Sequence, residues 1–268
     1  MFWFNLLLLA AGAFSLTLNT LSVMGKPLAE TWRIALFSGL LTVLAYLAMR
    51  SRLIFKHSNE SAAKMPKSVA LTSMFLVGAA VVGLSLFLLL NHRLGWQNEV
   101  VMVFTGVLTF LYFIPITLRK DGKRLRDIYW LKHFVVGANW SLATVAFPSG
   151  IYDLPHVLGL FWQVFFLIAA LSLSFDLRDA ALDTAEHHRS FYISEGETKL
   201  KALVLFLLSC CAVVLVIVNP NLHTTIIRLL LLVLSAFIIL RAKPNDASSK
   251  FNVVLESIIL LYGLAAWA

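Results

Sequence analysis

Asp176, Asp179 and Asp183 form a DxxDxxxD arrangement in a chain with only 14 acidic residues among 268. Spacings of three and four put all three carboxylates on one helical face, provided the helix before them continues that far. Like charges so placed repel, so a cation among them would be stabilising. A hard ion such as Mg²⁺ prefers oxygen ligands and typically takes one or two carboxylates plus phosphate oxygens of a substrate. The alternative is a solvated helix end balanced by Arg178 and Arg189. Other residues invite weaker readings. Glu256 lies in an apolar run, where a carboxylate is costly enough to suggest a role, although snorkelling or a structural hydrogen bond near Lys250 explains it equally well. Asn139, also in an apolar run, suits interhelical hydrogen bonding or contact with a substrate. His187 and His188 diverge on a helix and do not make a zinc site. Cys210 and Cys211 are adjacent in an apolar run and read as packing residues.

The elements that must position these groups are membrane helices. Apolar residues make up 60% of the chain and charged ones only 13%, about half the charged share of a soluble domain. That balance excludes a soluble globular enzyme, a disordered tail and a disulfide scaffold. The apolar residues form long uncharged blocks at about 2–24, 33–49, 68–90, 99–118, 132–148, 155–175, 200–218, 223–240 and 250–267. The expectation is an all-α, polytopic membrane protein with nine transmembrane helices in one domain over 1–268. With no basic residue before its apolar run, the N-terminal segment reads as a first membrane helix and not a cleaved signal.

The formal net charge of +8 would suggest nucleic acid in a soluble protein, but basic residues in a membrane protein mark the cytoplasmic side. Of the 22 Lys and Arg, 18 fall in alternate connections, leaving Lys26, Arg33, Arg93 and Arg228 on the other side. The N-terminus is therefore expected inside and the C-terminus outside, as in an integral protein of a bacterial inner membrane. The partners expected are the lipid bilayer and hydrophobic molecules, with no nucleic acid.

Ser174-Phe175-Asp176-Leu177-Arg178-Asp179-Ala180-Ala181-Leu182-Asp183 resembles the second aspartate-rich motif of the UbiA superfamily of intramembrane prenyltransferases, found between helices 6 and 7. The stretch from Arg189 to Lys199 is similar to that family's entry into helix 7. Leu111 to Pro115, the following basic residues and Leu131-Lys132 with Gly137 and Asn139 are similar to its helix 4–5 connection. The resemblance covers nearly the whole chain and implies a UbiA-like helical bundle with a cytoplasm-facing site. It further implies transfer of an isoprenyl group from an isoprenoid diphosphate to an aromatic or lipid acceptor. On this reading Asp176, Asp179 and Asp183 are catalytic and hold one Mg²⁺, which neutralises the leaving diphosphate.

The family's first aspartate motif is missing. No acidic residue lies between Arg33 and Asn59, where the sequence has instead Arg50 and Arg52. Guanidinium binds phosphate bidentately without a metal. The expected substrate-binding residues are therefore Arg50, Arg52, Arg119, Lys120, Lys123, Arg178 and Asn139, with topology alone as the competing explanation for the basic ones. A second functional reading is a non-catalytic relative that binds an isoprenoid or quinone or supports a membrane complex. A third, a cation-coupled transporter, is disfavoured because the carboxylates sit at the membrane edge and not near the midplane.

Overall fold

Backbone polar groups in a bilayer must be satisfied within the chain, which leaves helices as the natural solution for apolar runs of this length. In the computed structural model of the protein, residues 2–56, 78, 82, 85, 95–113, 125–150, 154–185, 189–219, 221–244 and 248–267 are described. Regular structure among them is entirely helical: α1 (Phe2–Val23), α2 (Leu28–Lys56), α3 (Trp96–Phe113), α4 (Lys132–Ser141) and α5 (Leu154–Arg178). After these come two short helices, α6 (Ala180–Ala185) and α7 (Phe191–Glu195), then α8 (Glu197–Val218), α9 (Leu222–Arg241) and α10 (Ser248–Leu264).

Four helices are long and apolar enough to cross a membrane, over Phe4–Val23, Pro155–Arg178, Glu197–Val218 and Leu222–Arg241. Shorter apolar helices cover Thr31–Leu47 and Val253–Leu264. Only 28% of the Glu197–Val218 span is buried within the protein despite a mean hydropathy of 2.8. Phe206, Val213 and Ile217 on α8, and Leu230 and Val233 on α9, are more than half exposed. Side chains so apolar face lipid and not water. The protein is an integral membrane protein of helical architecture. Most of the span expected over 68–90 lies outside the described residues, as do Arg119, Lys120 and Lys123.

Local chemistry sets the helix ends. Gly25 takes φ +71°, Lys26 N–H donates to the Leu21 carbonyl at 2.9 Å and Gly25 N–H to that of Ser22 at 2.9 Å. This is a Schellman termination of α1, made possible by a residue without Cβ. Asn221 caps α9 by accepting from Thr224 N–H at 3.3 Å, and Ser190 caps α7 by accepting from Ile193 N–H at 3.4 Å.

Beyond Ser141, α4 widens into a π-helical stretch, Leu142–Ala146, before a last turn at Phe147–Ser149. Proline explains the widening. Pro148 has no N–H, and its ring would crowd the carbonyl four residues back in a regular α-helix. In the wider turn the Ala143 carbonyl would look to position 148 for a donor and find none. Ser38 of α2 supplies one, its hydroxyl donating to Ala143 O at 3.2 Å. An interhelical hydrogen bond thus repairs the break, as a membrane interior requires.

The core has two adjoining sectors. One packs α5 against α4 and α8, and the other packs α1 against α2 and α10. Leu167 and Leu171 of α5, Val204 and Leu208 of α8, Leu16 of α1 and Ile258 of α10 join in one continuous cluster. The sequence expectation treated Cys210 and Cys211 as packing residues. Both are free thiols, and Cys211 is fully buried in this cluster.

Candidate functional site

A cavity of about 560 Å³ runs between these sectors. Leu9, Leu41, Met102, Val135, Trp140, Ile168 and Ile259 form much of its wall, while Lys132, His133, Asp176, Arg178 and Asp179 gather at one end. It is within the range of small-molecule sites.

The charged end exists because α4 and α5 come unusually close. A Cβ on Gly137 would lie 2.8 Å from the Phe165 carbonyl oxygen and 3.2 Å from Ala169 Cβ. Only glycine permits that approach, which brings the first turn of α4 against the last turns of α5. There Ser172 and Asp176, four residues apart, share one face of α5. His133 spans both: Nδ1 lies 3.0 Å from Ser172 Oγ and Nε2 lies 3.1 Å from Asp176 Oδ2. The arrangement suits a neutral imidazole that donates through Nε2–H to the carboxylate and accepts the Ser172 hydroxyl at Nδ1. Lys132 Nζ donates to Asp176 Oδ1 at 2.7 Å. The N–H of Phe191, from α7 folded over the site, donates to Oδ2 at 2.8 Å. Asp176 is therefore buried, with each oxygen accepting at least one hydrogen bond.

The other two carboxylates go elsewhere. The helix bends at Asp179, between α5 and α6, and the three carboxylates expected on one continuous face take different partners. Asp179 receives both Nε and Nη2 of its neighbour Arg178, whose guanidinium also stacks 4.8 Å from the Phe175 ring. Asp183 is half-buried and hydrogen-bonded to Ser190. Burial pushes its carboxyl above the ordinary value, opposed by the Ser190 hydrogen bond and the Lys132 charge. Among the described residues no three His, Cys, Asp or Glu side chains come together as metal ligands. As placed, the Asp motif does not fit an Mg²⁺ ion: cationic or hydrogen-bonding side chains already occupy the oxygens the metal would need.

Arg50 and Arg52 lie on the continuing helix α2, which runs to Lys56, and not in the loop expected after residue 49. Asn139 lines the cavity but is bonded across to α3: Nδ2 donates to Thr109 Oγ1 at 2.9 Å. Glu256 also lines the cavity, and its Oε2 has no hydrogen-bond partner, contrary to a structural hydrogen bond. Two residues of the charged end were not anticipated from sequence. From sequence Lys132 reads as a topology signal and as part of the helix 4–5 likeness, and His133 has no assigned role. A histidine in an apolar run, next to a lysine, is the signal that singles them out.

Away from the cavity a polar cluster ties four helices together. Buried Arg228 of α9 donates through Nη2 to Asn19 of α1 and through Nε to the Tyr262 carbonyl of α10 at 3.2 Å. Tyr262 in turn accepts from Gln163 Nε2 of α5 at 2.6 Å.

No protein-family model matches the sequence, and no curated relative matches it. A solved structure does. It comes from a study of the biosynthesis of digeranylgeranylglyceryl phosphate synthase in membranes, with a TM-score of 0.56 over 98% of this chain and 92% of that one. Sequence identity is 15%. The chain thus shares the fold of that structure, in keeping with the UbiA-like helical bundle expected from its Asp motif and apolar spans.

Proposed function

We propose that the protein transfers an isoprenyl group from an isoprenoid diphosphate to a hydrophobic acceptor, on the cytoplasmic side of the membrane. The observation that carries this reading is the polarity of the cavity, charged at one end and largely apolar beyond it, within a prenyltransferase fold. An isoprenoid diphosphate has the same polarity: an anionic head and an apolar chain. With the head at Lys132 and Arg178, the chain extends along Trp140 and Ile168, and water is kept from the reacting carbon. In the reaction the bond between C1 and the diphosphate oxygen breaks, and pyrophosphate leaves with the electron pair. The acceptor supplies the pair for the new bond and gives up a proton. Because the aspartates are already engaged, the charge of the leaving group falls to basic side chains. Lys132 and Arg178 are at the cavity, and Arg50, Arg52, Arg119, Lys120 and Lys123 are the further candidates.

The missing first motif and the engaged aspartates favour a second reading, in which the protein binds an isoprenoid or quinone without turning it over. One experiment separates the two. The purified chain in detergent is incubated with geranylgeranyl diphosphate and a lipid extract, with and without EDTA, and pyrophosphate is assayed. Release in both conditions supports transfer without Mg²⁺, and release abolished by EDTA restores the metal to the mechanism. Saturable binding without release supports the second reading. Absence of binding overturns both.

A further inference from the structure

Glu256 is the one carboxylate of the cavity wall with no role in the charged end. It lies eight residues into α10, roughly 12 Å along the helix at 1.5 Å per residue. Its side chain is 5% exposed and its Oε2 has no hydrogen-bond partner. A carboxyl left unbonded in an apolar interior is unfavourable whether ionised or neutral. Packing does not account for it, because Leu255 and Ile258 on either side fill the core cluster while Glu256 borders the cavity. Asn139 lines another wall of the cavity. It is seven residues from Lys132, roughly 10 Å, but its amide is already bonded to Thr109. Beside its paired charged residues, then, the cavity wall has one satisfied amide and one carboxyl oxygen without a partner. A group bound there completes the carboxyl if it brings a hydrogen to donate.

We infer that Glu256 Oε2 accepts the O–H of a neutral, hydroxyl-bearing acceptor whose apolar body shares the cavity with the isoprenoid. An ammonium group would have to lose its water and sit near the cationic Arg178, whose charge already acts on Glu256. A carboxylate would be repelled by Glu256 itself. A phenol meets neither obstacle, and its ring suits a wall that includes Trp140 and Ile259. The term acceptor rests on the prenyl-transfer reading, whereas the hydroxyl site does not.

Binding of 4-octylphenol and its methyl ether to the purified full chain tests the inference without any turnover. The two probes differ by one donatable hydrogen and partition similarly into micelles. Quenching of tryptophan fluorescence reports occupancy, since Trp140 lines the cavity. The phenol is expected to bind the wild-type chain at least tenfold more tightly than the ether. Glu256→Leu should remove that preference, and Glu256→Gln, which still offers an acceptor oxygen, should keep part of it. Glu256→Leu should also raise the thermal midpoint, because it replaces an unbonded carboxyl with an apolar group of similar size. Equal binding of the two probes to wild type overturns the inference, as does a preference that survives in Glu256→Leu. A lower midpoint for Glu256→Leu also overturns it, by showing that the carboxyl has a structural partner. Failure of pyrophosphate release leaves these measurements unaffected, so the two readings fail separately.

Discussion

Removing the Lys132 ammonium tests whether Asp176 is held by a side chain in place of a metal. The pair is close, at 2.7 Å, with side-chain exposures of 20% for Lys132 and 6% for Asp176. At an effective dielectric of about 20 the direct attraction is roughly 6 kcal/mol, an upper bound from which desolvation subtracts. Breaking a buried pair by removing one partner costs about 3–5 kcal/mol. Lys132 is partly exposed, and Asp176 keeps His133 and the Phe191 N–H, so Lys132→Met is expected at the low end, near 3 kcal/mol. That corresponds to a drop of roughly 6–12 °C in the thermal midpoint for a chain of this size. Asp176→Asn should cost less, because the amide oxygen still accepts a hydrogen bond and the lysine can turn towards the cavity mouth. The double variant isolates the interaction. A coupling of about 2 kcal/mol is expected between the two sites, read from thermal unfolding in detergent. Additivity within about 0.5 kcal/mol would refute the pairing and leave Asp176 available for other work, a metal included.

Four further outcomes follow from the same geometry. Gly137→Ala forces its Cβ against the Phe165 carbonyl and should cost about 1–3 kcal/mol in thermal stability, with a parallel loss of diphosphate affinity as α4 carries Lys132 away from α5. Arg228→Met leaves Asn19 and the Tyr262 carbonyl without their donor; a loss of about 2–4 kcal/mol is expected, and Arg228→Lys should not restore it, since a single ammonium does not reproduce the fork. Asp183 holds its proton more tightly folded than unfolded, so its contribution to stability falls as pH rises from its ordinary value through the raised one; comparing midpoints across that window, Asp183→Asn should lack this decline. The double variant Arg50→Ala/Arg52→Ala should weaken binding of geranylgeranyl diphosphate about tenfold, or 1.4 kcal/mol, with membrane insertion intact; unchanged affinity in a filter assay would assign both arginines to topology alone.

The membrane character, the helical class and most helix positions are legible in the sequence, because a bilayer imposes length and apolarity on each span independently of its neighbours. The break at Gly25-Lys26-Pro27 is legible for the same kind of reason, since glycine and proline act on their own backbone. So is the Asp motif, whose resemblance to that of the UbiA superfamily implied a helical bundle fold that the structural likeness bears out. The partners of the aspartates were not legible. Helical periodicity places Asp176, Asp179 and Asp183 on one face only while the helix runs straight, and it bends at Asp179. Which groups face a carboxylate depends on interhelical distance, and here Gly137 sets that distance from a different helix, 39 residues before Asp176. Lys132 and His133 therefore looked like a topology marker and an incidental histidine until α4 and α5 were seen in contact. The same holds for Glu256: sequence shows that it is intramembrane, but only packing shows that it borders a cavity and lacks a hydrogen-bond partner. Local chemistry decides where helices begin and end, whereas the chemistry of a site depends on groups from several helices converging, and that convergence is a property of the tertiary structure alone.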